Sequence, residues 1–425
     1  MNNSNSFSRK KNDVKVLFSN TLMLFFLQIS GYVFPLITFP YITRTLGPDN
    51  YGLVVFMYSF MAFFQILLDF GFTLSGTLKC SLNRDNKEKL GVVIFSIIQG
   101  KIILSIIGLF VLILILLFSK IFKGNELFAL LSYVPVFLVL FIPDFVFRGI
   151  EKMSLITYRT LISNTIYVGL VIFLIDKPSD YLLIPLILGF STLVTIVWSW
   201  YYLIKVVNIP IKFVSIDAVI ESLNESKDYF LSRIATTLYN SSNIFILGVI
   251  GFNSTSIGNY GVANNLINTI KSMLTPISDS IYPYMVRNKD FKLIWLIILI
   301  SFPVIFVSIT ILYYFADFVV VILCGEKFLD AVPIFKWMLP LILIMLPTYL
   351  LGFPVLGAMG HSNKANLSVI IGSLFHAIGL LLLLLFFKIT ILNIIVLTIF
   401  TELLILVIRI YYIIKFKSNF SIENV

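Results

Sequence analysis

A stripe of polar side chains runs along one predicted helix in the second half of the chain. In the segment IGNYGVANNLINTIKSMLTPISDSIYPYM, five polar residues follow one another at steps of three or four: Asn264, Asn268, Lys271, Thr275 and Asp279. Because an α-helix has about 3.6 residues per turn, these side chains share one face while apolar residues cover the rest. Their amide, hydroxyl and ammonium groups can bind hydroxyl groups and an anion. The stripe predicts the lining of a polar cavity, and a hydrogen-bonded seam against a neighbouring helix is the alternative.

Four further ionisable residues stand in or beside long apolar segments. Lys101 lies deep in one of them, where it either faces protein or a water-filled cavity, as a candidate cation for an anion, or extends its ammonium group to the surface. Asp69, in LLDFGF, either pairs with an arginine at a helix end or serves transport, whereas Glu402 has no evident partner in the sequence and is a candidate for ion coupling or gating. Arg44 ends the first apolar segment, and its planar fork of donors suits phosphate oxygens as well as an anchoring role at an interface.

Other charged residues favour structural roles. Asp144 and Arg148, four residues apart in PDFVFRG, are expected to pair with each other. Arg409 is near enough to a segment end to be interfacial, and His376 is expected to be a buried, hydrogen-bonded side chain.

The segments that carry these residues are those of a membrane protein. Hydrophobic residues make up 59% of the 425 residues and charged residues only 12%, against about 45–50% and 25% in soluble domains. Hydropathy predicts twelve membrane-spanning helices. Their ranges are 16–42, 51–75, 90–118, 127–147, 155–175, 181–204, 229–250, 258–286, 293–324, 331–358, 366–388 and 390–414. Cys80 and Cys324 are expected to stay unpaired, and no metal-ligand spacing is present.

The distribution of basic residues predicts the orientation of these spans, and a repeated tripeptide predicts an internal repeat. Most of the 31 Lys and Arg residues fall in alternate links, and the excess of positive charge on the cytoplasmic side places both termini in the cytoplasm. This basicity fits anionic lipid headgroups and does not require nucleic acid. The tripeptide Asn-Tyr-Gly occurs at 50–52 and again at 259–261, each time at the start of an even-numbered span. We therefore expect two parallel six-helix repeats.

The predicted organisation is an all-α membrane protein of about twelve helices in two six-helix bundles around a central cavity. It comprises a cytoplasmic tail at 1–15, an N-terminal lobe at 16–204, a cytoplasmic linker at 205–228, a C-terminal lobe at 229–416 and a tail at 417–425. Pro340, Pro347 and Pro354, spaced by seven, predict a kinked or broken tenth span.

Four stretches resemble one family. TRTLGPDNYGLVVF, LLDFGF, FRGIEKMSLIT and the stretch from Ile257 to Met285 are similar, in that order, to the O-antigen or polysaccharide repeat-unit flippases. This Wzx-type group belongs to the polysaccharide transporter branch of the multidrug/oligosaccharidyl-lipid/polysaccharide (MOP) exporter superfamily. Within the resemblance, Arg44 matches the basic residue of the junction motif and Asp69 the aspartate of the second motif. The several arginines that related flippases for cell-wall precursor lipids carry along the first helix are missing here between Lys15 and Arg44.

The resemblance implies a multi-pass protein of the bacterial inner membrane that moves an undecaprenyl-pyrophosphate-linked oligosaccharide to the periplasmic leaflet by alternating access. Its partners would be that substrate, membrane lipids and other polysaccharide assembly proteins. No cofactor is expected, although an ion gradient could drive transport, and the absence of a nucleotide-binding motif argues against ATP. The alternatives are a cation-coupled multidrug antiporter of the same superfamily and, less favoured, a membrane polysaccharide polymerase or acyltransferase. The links carry no acid–base constellation, which argues against an enzyme.

Overall fold

The computed structural model describes the backbone of residues 3–210 and 212–417, and their side chains except those of 3–22, 24–26, 231–232, 235–236, 238, 240 and 417. Within that part the chain is helical, with no β-strand. The α-helices are α1 Asn3–Asp69, α2 Phe72–Leu82, α3 Lys87–Phe118, α4 Glu126–Val139, α5 Asp144–Gly149, α6 Met153–Leu174, α7 Leu183–Tyr201, α8 Ile216–Val249, α9 Ser254–Asn288, α10 Phe291–Tyr314, α11 Ala316–Cys324, α12 Ala331–Met338, α13 Pro340–Leu350, α14 Ser362–Phe386 and α15 Ile391–Lys417. Short 3₁₀ turns and two π-helical stretches, Tyr202–Val207 and Leu351–Gly357, join some of them.

The helices confirm the all-α membrane class. Nine helical stretches of the described residues are long and apolar enough to cross a membrane. The first of them, Leu27–Leu82, has 56 residues and can hold two crossings, since about 20 residues suffice for one. Helices α8 and α9, with 34 and 35 residues, are also long enough to cross a membrane but are more polar. Helix α9 carries the predicted polar stripe. These helices account for the twelve predicted spans.

The polar junction after the first span is a break of one residue. The sequence predicts a link over 43–50, but α1 continues on both sides of Gly47, which alone is non-helical with φ 70° and ψ 175°. Glycine adopts a positive φ without a steric penalty, and Pro48 follows at a position where a missing N–H costs little. The predicted loop was therefore too long.

Other boundaries also differ from prediction. The predicted second span, 51–75, is interrupted, because Phe70 and Gly71 take positive φ values and separate α1 from α2. Helix α8 starts at Ile216, so much of the predicted linker 205–228 is helical. The tenth predicted span is broken as expected, into α12, α13 and the π-helical stretch Leu351–Gly357. Residues 1–2 and 418–425 of the predicted tails lie outside the described residues.

Two compact units divide the chain. The first contains residues up to Leu46 together with Phe60–Arg233, and the second contains Gly47–Ser59 together with the residues from Ile234 onward. The predicted lobes 16–204 and 229–416 rest on the number of helices, whereas these units rest on packing, so the lobe boundaries stay a prediction.

The first unit packs around the small helix α5. Phe145 and Phe147 of α5 are buried in a core with Phe72 and Cys80 of α2. A Cβ atom added at Gly149 would lie 2.5 Å from the Cβ of Cys80, so only glycine lets α5 approach α2 this closely. The buried thiols of Cys80 and of Cys324, in the second unit, form no disulfide among the described residues, as predicted.

In the second unit, the two helices that carry Asn-Tyr-Gly cross in backbone contact. A Cβ added at Gly52 would lie 1.8 Å from the carbonyl oxygen of Ser254, and one at Gly258 would lie 2.2 Å from that of Pro48. The Thr255 hydroxyl donates a hydrogen bond to Asp49 at the same crossing. Thus each copy of the motif lies at or beside the point where the two helices cross, which the sequence did not indicate.

Candidate functional site: a polar cavity in the second unit

A polar cavity of about 340 Å³ lies inside the second unit. Its lining comes from α8, α9, α13, α14 and α15, and its charged groups are Lys271, Glu402 and Arg409. The remaining lining residues are Tyr239, Asn268, Ser272, Thr275, Met345, Thr348, Tyr349, Val369 and Ile405. Two cations and one carboxylate therefore stand among amide, hydroxyl and phenol groups.

Helix α9 supplies one wall of the cavity. Asn253 caps its first turn by accepting a hydrogen bond from the backbone N–H of Ser256 at 2.9 Å. Of the predicted stripe, Asn268, Lys271 and Thr275 line the cavity, whereas Asn264 and the exposed Asp279 are not among its lining residues. The middle of the stripe therefore lines the cavity and its ends lie outside it.

Lys271 brings a positive charge to the cavity. Within the described side chains, no carboxylate lies within the 4.0 Å of an ion pair to its ammonium group. The carboxylate of Glu402 is close enough to attract the Lys271 ammonium group electrostatically. An ammonium group with three donors and no ion-pair partner is suited to hold an anion.

Glu402 is held by a phenol. Its side chain is 3% exposed, and the hydroxyl of Tyr239 donates a hydrogen bond to its Oε1. The sequence showed no partner for Glu402 because Tyr239 is far away along the chain, on α8.

Arg409 lines the cavity and is buried by protein. The residue is 7% exposed. Its Nε donates to the Ser368 hydroxyl at 3.0 Å, and its Nη1 donates to the carbonyl oxygen of Thr348. The signal that was missed is the spacing of seven residues from Glu402, which places both side chains on one face of α15.

A buried histidine cluster lies in the same unit. His376 is 0% exposed, with Nδ1 3.0 Å from the Thr401 hydroxyl and Nε2 2.8 Å from Oδ1 of Asn243. The Tyr239 ring packs edge-on against the imidazole at 5.2 Å between centroids. His376 is thus the buried, hydrogen-bonded side chain that the sequence predicted.

The candidates of the first unit form a separate charge cluster. Lys101 is 5% exposed and therefore faces protein, and its Nζ lies 3.9 Å from Oδ1 of Asp69. Oδ2 of the same aspartate lies 3.8 Å from Nε of Arg233, and Oδ1 accepts a hydrogen bond from the Thr73 hydroxyl at 2.6 Å. Both predicted residues are therefore engaged with neighbouring charges inside this unit.

The predicted Asp144–Arg148 pair is not formed. Asp144 instead accepts a hydrogen bond from Nη2 of Arg159. Nη1 of the same arginine donates to the Ser199 hydroxyl at 3.0 Å. The sequence spacing suggested the nearer arginine, but tertiary packing of α6 brings Arg159 to the carboxylate. Arg44 is exposed, three residues before the break at Gly47.

Comparison with known proteins gives a consistent result. The sequence pattern of the family described as "Polysaccharide biosynthesis protein" matches residues 17–289. A protein of Escherichia coli (strain K12) named "Putative O-antigen transporter" is 29% identical over 378 residues, which cover 87% of this chain and 89% of that protein. A protein of the same name from Shigella dysenteriae is 23% identical, over 64% of this chain and 68% of that protein.

Solved structures share the fold. The structure titled "Lipid II flippase MurJ, inward closed conformation" has a TM-score of 0.69 at 12% identity, covering 93% of this chain and 87% of that chain. An inward-facing multidrug resistance MATE family transporter of the MOP superfamily has a TM-score of 0.65 at 14% identity, covering 91% and 95%. The relatives are transporters rather than enzymes, in agreement with the expectation that this chain catalyses no reaction. The chain belongs to the polysaccharide biosynthesis protein family.

Proposed function

We propose that this protein is a flippase that moves undecaprenyl-pyrophosphate-linked oligosaccharide units across the bacterial inner membrane by alternating access, for O-antigen or another surface polysaccharide. The observation that carries the proposal is the polar cavity of the second unit. It places Lys271 and Arg409, with Glu402 as the opposing charge, among hydrogen-bonding groups in a membrane protein. Membership of the family and the names of the relatives support the same function.

The chemistry of such a substrate explains why a cavity of this kind is needed. A polyprenyl tail is soluble in the bilayer, but a pyrophosphate with attached sugars meets a large barrier in bare hydrocarbon, since isolated charge costs tens of kcal/mol there. Cationic groups can replace water around the phosphates, and amides and hydroxyls can replace it around the sugars. Lys271 is the cation best suited to the first task, because no carboxylate among the described side chains forms an ion pair with it.

The remaining candidates have secondary roles in this proposal. Arg44 is a candidate for contact with the pyrophosphate at the periplasmic mouth, and Lys101 and Asp69 form a charge pair that could respond to an ion or to gating. Both termini are proposed to lie in the cytoplasm, on the positive-inside argument. The partners are then the lipid-linked oligosaccharide, membrane lipids and other polysaccharide assembly proteins.

The test is complementation of a bacterial strain that lacks its flippase, scored by surface polysaccharide. The wild-type protein should restore the polysaccharide, whereas Lys271→Ala should impair restoration at equal protein abundance. Lys292→Ala is the matched control, because Lys292 is exposed on α10 and is not a lining residue of the cavity.

Two outcomes would contradict the proposal. Failure of the wild-type protein in strains with several different repeat units, together with export of small cations, would favour the antiporter. Full activity of Lys271→Ala would remove this lysine from the substrate path.

A further inference from the structure

The tenth predicted span contains a break beside the cavity. Helix α13 ends at Leu350 and passes into the π-helical stretch Leu351–Gly357, where Gly352 has a non-helical ψ of −115°. Pro354 within the stretch has no N–H to donate, so the backbone hydrogen-bond ladder is interrupted on its N-terminal side. Such stretches leave carbonyl oxygens that need other donors.

Arg409 supplies a donor to this interrupted ladder. In an unbroken α-helix the carbonyl of Thr348 would accept from the N–H of Gly352, and here it accepts from Nη1 of Arg409. A Cβ added at Gly352 would lie 2.7 Å from the same Nη1, so the guanidinium rests against the backbone at the break. The Ser368 hydroxyl holds Nε of the guanidinium from the side of α14.

The same guanidinium has donors to spare on the cavity side. A guanidinium carries five N–H groups, and the hydrogen bonds to Ser368 and Thr348 engage only Nε and Nη1. Its Nη2 makes no hydrogen bond with the described part of the chain, although Arg409 lines the cavity together with Lys271. A planar fork of free donors in a buried setting is suited to two oxygens of one phosphate.

We propose that Arg409 is a coupling residue that binds a diphosphate in the cavity and, through Thr348, transmits its binding to the break at Gly352. A diphosphate drawn to the Nη atoms competes with the Thr348 carbonyl for the guanidinium. The carbonyl then loses the hydrogen bond from Arg409, and the segment Leu351–Gly357 opens more readily. This inference rests on the proposed function for its ligand and adds to it the residue through which ligand binding reaches the helix.

The test uses the full-length purified protein and inorganic pyrophosphate as the probe. Hydrogen–deuterium exchange is measured for peptides that cover 346–360, with and without pyrophosphate, while binding is measured separately by calorimetry. In the wild-type protein pyrophosphate should bind and speed exchange in this segment about fivefold, the change expected when one hydrogen bond is lost.

The variant Arg409→Lys separates coupling from charge. A lysine keeps the positive charge but cannot hold a carbonyl and a phosphate in one rigid fork, so pyrophosphate should still bind while exchange in 346–360 no longer responds. Ser368→Ala, which removes only the side support of Nε, should keep the response in weakened form. A purely structural role for Arg409 would change exchange equally with and without pyrophosphate.

Three results would overturn the inference. These are an unchanged exchange response in Arg409→Lys, binding to the wild-type protein without any response, and no binding of pyrophosphate to the wild-type protein. If complementation of the flippase-deficient strain succeeds in the same series, the coupling fails while the proposed function stands. If complementation fails and the exchange response is found, the proposed function fails while the anion-dependent coupling stands.

Discussion

Gly52→Ala should destabilise the second unit, because the helix crossing at Gly52 leaves no room for a methyl group. The added Cβ would stand 1.8 Å from the carbonyl oxygen of Ser254, while ordinary contacts begin at 3.4 Å. The two backbones must therefore separate by about 1.6 Å. Separation on this scale disturbs the neighbouring contact of Thr255 with Asp49 as well.

The loss of stability in Gly52→Ala can be given an approximate range. Overpacking a close contact costs about 1–3 kcal/mol when the backbone has to shift, and for a unit of this size that lowers the melting temperature by about 2–12 °C. Melting of the purified protein in detergent, followed by intrinsic fluorescence, measures the difference. Gly258→Ala should behave alike, because its Cβ would lie 2.2 Å from the carbonyl oxygen of Pro48.

The matched control is Gly169→Ala. Gly169 lies within α6, and a Cβ there would have no atom within 4 Å. Replacement of a helical glycine by alanine without a clash is stabilising by up to about 1 kcal/mol. The reasoning is refuted if Gly52→Ala and Gly169→Ala melt at the same temperature.

Three further substitutions test single contacts. His376→Leu leaves the amide of Asn243 without its ring partner and should cost about 1–3 kcal/mol, seen as a lower melting temperature that His376→Gln partly restores; equal melting of the two variants would contradict this. Asp144→Asn removes the charge that faces the buried Arg159. We expect it to lower the free energy of unfolding by about 1–3 kcal/mol, less than the 3–5 kcal/mol of fully buried pairs, because 35% of the Asp144 side chain is exposed. The control is Asp317→Asn, which breaks the ion pair of an exposed aspartate with Lys336; an equally small loss in both variants would contradict the prediction. Gly352→Ala pushes a Cβ against the guanidinium 2.7 Å away and should reduce surface polysaccharide in the complementation assay, whereas undiminished polysaccharide would show that the contact is dispensable.

Much of the fold could be predicted from hydropathy alone. Apolar runs of about 20 residues have few alternatives to membrane-spanning helices, so the positions of the spans were found within several residues. The predicted boundaries of the spans were wrong where a single residue interrupts a helix. The polar junction around Arg44 predicts a loop, but a single residue, Gly47, is non-helical there.

The cavity could be predicted in part, because helical periodicity reports a polar face but not what that face meets. Asn268, Lys271 and Thr275 were found from their spacing on one helix. Tyr239 and the Thr348 carbonyl come from other helices, and no pattern within one segment points to them. The position of Arg409 near the end of an apolar run suggests an interfacial residue and gives no sign that it lines the cavity.

Pairing between charges was the least predictable feature. Asp144 has Arg148 four residues away, which is the favourable spacing within a helix, yet it pairs with Arg159 of the next helix. Spacing along one helix is a local rule, and tertiary packing decides among several arginines of similar reach.

Flipping by the reconstituted protein tests the central claim most directly. Vesicles are prepared with a lipid-linked oligosaccharide in both leaflets, and a membrane-impermeant oxidant of sugars measures the fraction that becomes accessible with time. The account predicts that the protein exposes the protected fraction, that Lys292→Ala does the same, and that Lys271→Ala is slower. Accessibility no greater than in protein-free vesicles would contradict it.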